Sequence, residues 1–309
     1  LYDNVQFISL LSKFYKIKPN EYFKNKIIQT VSFLKNNFKV SSSNLYGSAY
    51  DADSEGEEGK YYTFTYNEVK NIKDIEKYFD IKPSGNWEGK IILTEIMPPT
   101  NSIINELLNI RKNKKKPFFD NKTQLDLNCF FISSLVHAHN AIPDQNFLSL
   151  AEEIFANIEK KFCKGSLFHS SSKSVVFLED YAYLINCLID LNDQTLNSKY
   201  RIQANKFCKE TINLFYLKHR SIFQKNIIKN NDIFIEPVDI SDHTVPNGNS
   251  LMLINFTRLG FKKESQDLAN SLNSYLNTYK TFMISSLKSI DFHNEISSGK
   301  SCGIDGCKI

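Results

Sequence analysis

Two kinds of helical pattern alternate along this chain. One is apolar nearly all round, as over 125–136, 181–191 and 251–259. The other carries a single apolar stripe. Phe23, Ile27, Val31, Leu34 and Phe38 recur at steps of three and four, as do Phe147, Ala151, Ile154, Ile158 and Phe162, and then Leu268, Leu272, Tyr275 and Tyr279. Such a stripe marks a helix with one buried face and one wet face. A helix that is apolar all round must be enclosed, and a striped helix can cover it. Repeated enclosed-and-covering pairs give two concentric layers. The pattern therefore predicts an all-α fold, an (α/α)6 toroid of helical hairpins with short β-hairpin insertions.

Five pairs are read, over 1–38, 67–114, 121–162, 178–216 and 242–280. A closed ring of six needs one more, expected upstream, so the chain reads as truncated at its N-terminus. The toroid is expected over 1–285, followed over 286–309 by a tail with a Cys pair. Pro19-Asn20 and Pro143-Asp144 signal turns ahead of covering helices. The longer connections over 165–177 and 222–235 carry strand-like residues and read as β-hairpins, the kind of loop that holds function on a rigid scaffold.

Composition narrows the classes. The 309 residues are 41% hydrophobic, with 24 Phe and 15 Tyr, which is ample for a core. Net charge is +4, from 38 basic against 34 acidic residues. That is too mild a surplus to point to nucleic acid or an anionic membrane. No apolar run reaches the roughly 18–20 residues of a membrane span. Of six Cys, Cys129, Cys163, Cys187 and Cys208 lie in or beside apolar helical patterns and read as buried thiols. Only Cys302 and Cys307 form a close pair, a candidate redox pair. A cytoplasmic location is expected. No P-loop, GxGxxG or paired Cys/His zinc spacing is present, so neither cofactor nor metal is expected.

Polar clusters recur at the expected mouths of the enclosed helices. The densest covers 47–62, with Asp51, Asp53, Glu55, Glu57 and Glu58 around Gly56 and Gly59. Like charges this close need compensation. A cation, a polyol whose hydroxyls donate, or loop amides and nearby Lys all supply it. The spacing opens like a calcium loop, but Tyr62 stands where a bidentate Glu is required. The stretch 120–128 offers Asp120 as an N-cap, with Lys122, Asp126 and Asn128 near the helix start. Glu179 and Asp180 open a further helix before Tyr181. There the macrodipole favours carboxylates, and burial would suit one to acid–base work. The stretch 236–250 brings Asp239, Asp242 and His243 ahead of Pro246, then Asn247, Asn249 and Ser250. Tyr2, Asp3 and Asn4 open the first helix. Together these describe a cavity lined with carboxylates, amides and aromatics, suited to a polyhydroxylated ligand.

The strings LYDN at 1–4, YDADSEGEEGKYY at 50–62, GNWEGK at 85–90, FLEDYAYLI at 177–185 and the PNGNS stretch closing at 250 resemble the bacterial thioredoxin-domain proteins related to spermatogenesis-associated protein 20. The resemblance implies a six-hairpin glycosidase-like toroid, an upstream thioredoxin-like domain as partner, and a terminal Cys pair at Cys302 and Cys307. It names a fold better than a reaction. Glycosidases of this architecture need two placed carboxylates, and the related N-acylglucosamine 2-epimerase group uses His as acid and base. Asn121, Leu127 and His243 depart from the family pattern, which makes His243 a poor family-wide base.

Two functions follow as expectations. The first is a toroid that binds a carbohydrate-type ligand in an acidic pocket. Its catalytic candidates are Asp51, Asp53, Glu179, Asp180 and Asp242. Its ligand-binding candidates are Tyr2, Asp3, Asn4, Glu55, Glu58, Lys122, Asn128, Tyr181, Asp239, Asn247 and Asn249. If it is an enzyme, it is a sugar-active hydrolase or isomerase. The second is a non-catalytic domain that recognises partners for a thioredoxin-like redox domain.

Overall fold

The structure is a computed structural model. It describes residues 1–143, 146–163, 167–171, 175–227, 236–299, 302–303 and 306–307. In chain order the helices are α1 (Tyr2–Ile17), α2 (Glu21–Asn37), α3 (Tyr66–Val69), α4 (Ile75–Tyr78), α5 (Asn101–Lys112), α6 (Leu125–Ala141), α7 (Phe147–Phe162), α8 (Leu178–Thr195), α9 (Ser198–Phe215), α10 (Gly248–Leu259), α11 (Lys262–Tyr279) and α12 (Ile284–Ser297). The chain divides into two compact units. One holds Leu1–Ser48 and Asn121–Ile309, the other Ala49–Asp120.

The first unit is a two-layer helical arrangement of the α/α-toroid class. Helices α1, α6, α8, α10 and α12 pack in succession as the inner layer, while α2, α7, α9 and α11 lie against α1, α6, α8 and α10 as covers. The patterns explain the assignment. On α8, every residue over 180–191 except Asn186 is buried, so it needs neighbours on all sides. On α7 only one stripe is buried, with Phe147, Leu150, Ala151, Ile154, Phe155, Ile158 and Phe162 facing inward. Each such Leu, Ile or Phe contributes about 1.5–3 kcal/mol of burial. Side chains close the ends. Asn20 Oδ1 accepts from Phe23 N–H at 2.8 Å ahead of α2, and Asn247 Oδ1 accepts from Ser250 N–H at 2.9 Å ahead of α10.

Several local expectations are corrected. Asp120 does not cap α6, which starts at Leu125; it lies in the strand Phe119–Thr123 instead. Helix α10 opens at Gly248 with Asn247 as its N-cap, so Asn247 and Pro246 stand outside it. The strand pair near 222 joins Ile222–Phe223 to Tyr216–Leu217, at the end of α9. The rest of that expected hairpin, over 228–235, lies outside the described residues, as do 165–166 and 172–174 of the other. Helix α12 runs across the boundary expected at 285 and packs on α10 and α11.

The second unit replaces the helical pair expected over 67–114. Pro83, Gly85, Gly89, Pro98 and Pro99 break that stretch. Only one long helix, α5, and two one-turn helices form. Phe64, Val69, Ile72, Ile75, Phe79, Ile81, Ile91, Ile103 and Leu107 build a separate small core. Gly85, at φ +71°, is held there by close approach, since an added Cβ would lie 2.3 Å from the Lys90 carbonyl.

Candidate functional site at the head of the helical cavity

Helical spacing places Asp126, Phe130, Ser133 and His137 on one face of α6, and Glu179, Tyr183, Asn186 and Asp190 on the matching face of α8. From Phe130 and Tyr183 onward these faces line a cavity of about 620 Å³, completed by residues of α1, α10 and α12. Phe7, Phe130, Tyr183 and Phe292 give it an aromatic wall. Its far end is closed by Arg258, which bonds Asp190 at 2.7 Å and Asp193 at 2.8 Å, while Asn186 bridges Asp190 and Ser133. Asp126 and Glu179 stand one turn before Phe130 and Tyr183, at the head of the two cavity-facing stripes.

Beside them lies a tight group. His169 Nδ1 is 2.9 Å from Asp180 Oδ1, and the other Asp180 oxygen accepts from Phe177 N–H at 2.9 Å. Asp180 is fully buried. His169 Nε2 meets the Gln124 side-chain amide at 2.9 Å, and Gln124 Oε1 accepts from the Ser48 hydroxyl at 2.8 Å. The Gln124 amide donating to Nε2 leaves the neutral-ring proton on Nδ1, shared with Asp180. Backbone fixes the loop: Leu125 N–H donates to His169 O at 2.8 Å. Asp126 Oδ1 accepts from Leu127 N–H at 2.8 Å, and the half-buried carboxyl has no other hydrogen-bond partner among the described residues. Asp126, His169 and Asp180 each bring one ligand-type atom within 4.8 Å of the others.

Burial and crowding set the protonation. Desolvation, then the Asp180 charge, push the Asp126 carboxyl up to about 7. Glu179 is raised too, first by burial. Burial opposes charge on His169, but the bond and charge of Asp180, with Asp126 and Glu179, outweigh it and raise the imidazole. Burial lifts the Tyr183 hydroxyl well above its ordinary value, and Asp126, Glu179 and Asp242 add to the lift. A carboxyl that titrates near neutrality can give or take a proton at working pH.

The sequence-derived candidates separate into groups. Glu179 and Asp180 belong to this site, and Asp3 lines the cavity. Tyr2 and Asn4 are half-buried beside it on α1. Asp239 bonds Lys225 at 2.8 Å, and burial's upward push on its carboxyl is overcome by that bond, so it is lowered. Asp242 ties down α12, accepting from Ser285 N–H at 2.7 Å and from Asn247. Asn128 and Asn249 are fully buried and spend their amides on backbone. Asn128 pairs both ways with Tyr46, and Asn249 both ways with Phe223. Asn247 is buried with its amide on Ile240 and Asp242. Tyr181 points away, packed on Phe207 and Phe215. Lys122 is exposed. His243 is exposed, 3.3 Å from Asp239.

Asp51, Asp53, Glu55 and Glu58 sit in the second unit, all exposed. Glu55 pairs with Lys60 at 3.0 Å, Glu57 pairs with Lys90, and Asp51 accepts from Asp53 N–H at 3.3 Å. Lys and loop amides therefore provide much of the compensation this segment needs. Cys302 and Cys307 are paired positions of a two-residue antiparallel ladder, and their side chains lie outside the described residues. Asp126 was noted in the sequence only as a helix-start residue, and His169 and Gln124 were missed. Their one signal was position: polar groups flanking an apolar helix start.

Solved structures place the architecture first. The chain is similar to a cellobiose 2-epimerase from Spirochaeta thermophila DSM 6192, with a TM-score of 0.57 and 10% identity over 89% of this chain and 59% of that one. A sugar epimerase from a ruminal bacterium follows at 0.53 and 12%, over 97% and 76%. A D-mannose isomerase follows at 0.50 and 11%, over 98% and 61%. At such identities the likeness is one of fold, the α/α toroid. By sequence, the chain is 21% identical to rat spermatogenesis-associated protein 20 over 84% of its own length and 41% of that protein's. It thus spans less than half of that relative. No protein-family model matches the chain.

Proposed function

We propose that the first unit binds a carbohydrate-type ligand in its cavity and transfers protons on it through Asp126, with Glu179 as the second acid–base group. The observation that carries this reading is the pair of cavity-facing stripes, each aromatic in the middle and headed by a half-buried carboxyl. Aromatic faces pack on the apolar side of a sugar ring, and carboxyls accept from its hydroxyls. His169 and Asp180 are positioning residues that set the charge around Asp126. Asp180 has both oxygens engaged, so it is not free to serve as a nucleophile. This favours proton transfer of the isomerase or epimerase type over a two-carboxylate hydrolysis. The fold likeness to sugar epimerases and an isomerase supports the ligand class.

The test is NMR in D2O with pooled aldoses, ketoses and disaccharides. A carbon-bound proton of a substrate should exchange with solvent in the presence of the wild-type chain. The rate should fall at least ~100-fold in Asp126→Asn. Exchange that survives this substitution sinks the assignment.

A further inference from the structure

We propose that Asp126, His169 and Asp180 form a binding site for one divalent first-row transition-metal ion. The inference does not depend on the sugar reading: with an ion bound, Asp126 would act as a ligand and not as the proton-transfer group. Binding an ion would displace the protons this group holds, leaving two carboxylates and a neutral imidazole with a formal charge of −2 that a divalent ion neutralises. The geometry fits. His169 Nδ1 and Asp180 Oδ1 are 2.9 Å apart, and the ligand-type atoms of all three residues lie within 4.8 Å of one another, so small side-chain shifts bring them to the roughly 3.0–3.5 Å between atoms bound to one ion through bonds of ~2.0–2.2 Å. The ion would displace the proton they share and sit to one side of the line between the two atoms. Rotation of the half-buried Asp126 side chain brings in the third ligand.

The outer contacts are already those of a ligand set. A metal-bound imidazole donates its other N–H to an acceptor, which fixes the ring. Here the Gln124 amide sits between His169 Nε2 at 2.9 Å and Ser48 Oγ at 2.8 Å. Turned over, it accepts from the ring N–H and donates to the hydroxyl, so both bonds survive. Asp180 keeps one oxygen on Phe177 N–H and Asp126 keeps one on Leu127 N–H. Each ligand is therefore held by one atom, and once the proton between His169 and Asp180 has left each offers the other. Imidazole with carboxylates suits Zn²⁺, Co²⁺, Mn²⁺ or Fe²⁺ better than an all-oxygen ion such as Ca²⁺. Asp180 is inaccessible and Asp126 half-buried, so open coordination positions lie on the Asp126 side.

The test uses the full chain stripped with chelator, titrated calorimetrically with Zn²⁺ and spectroscopically with Co²⁺. One ion per chain should bind, with visible Co²⁺ absorption. Asp126→Asn and His169→Asn should abolish both, and Gln124→Ala should weaken binding ~10–100-fold. Asp126→Asn keeps the side-chain shape, so circular dichroism matching wild type separates lost binding from lost fold. Asp53→Asn and Cys302→Ser should change nothing. Absence of stoichiometric binding in wild type, retention in folded Asp126→Asn, or loss in Asp53→Asn or Cys302→Ser would each overturn the proposal.

Discussion

The segment 51–58 and the group Asp126–His169–Asp180 are both rich in carboxylates, and they relieve their charge in opposite ways. The first is exposed and meets Lys60, Lys90 and loop amides. Surface pairs of this kind contribute little and leave ordinary chemistry behind. The second is largely out of water. Its compensation is a histidine, a backbone N–H and a raised carboxyl. The lesson is that the number of charges in a segment does not mark reactivity. The number of charges that lose their water does.

The largest expected effect lies on the buried side. Asp126→Asn should remove at least ~100-fold of any proton-transfer activity, while Asp53→Asn in the exposed segment should leave the rate within about twofold. Steady-state assay of the two variants side by side breaks the comparison if their order is reversed.

Next come the buried amides. Asn249→Ala removes a side chain that accepts from Phe223 N–H and donates to Phe223 O and Asp239 O. Chemical denaturation should show a loss of about 2–3 kcal/mol, because buried backbone groups are left unpaired. Asn128→Ala should behave alike through Tyr46.

A third effect has a pH signature. Asp126 is raised from 3.8 to about 7 in the folded chain. The native state therefore holds the proton more tightly than the unfolded state, and ionising the group costs stability as pH rises from about 4 to about 7. Asp126→Asn escapes that cost. The variant should gain on wild type across this window, by about 4 kcal/mol at pH 8. The smallest effect is expected for Glu55→Gln, which loses only an exposed pair with Lys60 and should leave the melting temperature where it was.

The layered helical architecture was legible because its cause is a period. The stripe of α7 and the all-round apolarity of α8 are visible in any reading of the sequence. Helix α12 was not, because its buried face is built from Ser286, Ser289, Ile290 and His293 rather than from large apolar residues. The second unit was misread as a helical pair because its apolar residues are plentiful, whereas their separate core depends on turns at Pro and Gly. At the site, Glu179 and Asp180 were legible as the start of an apolar helix. Their different roles were not, since one residue of helical rotation puts Glu179 on the stripe of Tyr183, Asn186 and Asp190 and turns Asp180 to His169. His169 lies in a loop with no periodicity, and only the fold carries it to Asp180.

The most direct test of the account is a ¹³C-carboxyl NMR titration of the wild-type chain and Asp126→Asn between pH 3 and 9. The account predicts one carboxyl signal in the wild type that titrates near pH 7 and is missing from the variant. If the signal assigned to Asp126 instead titrates near the ordinary carboxylate value, the buried group is chemically no different from a surface one, and the central claim is contradicted.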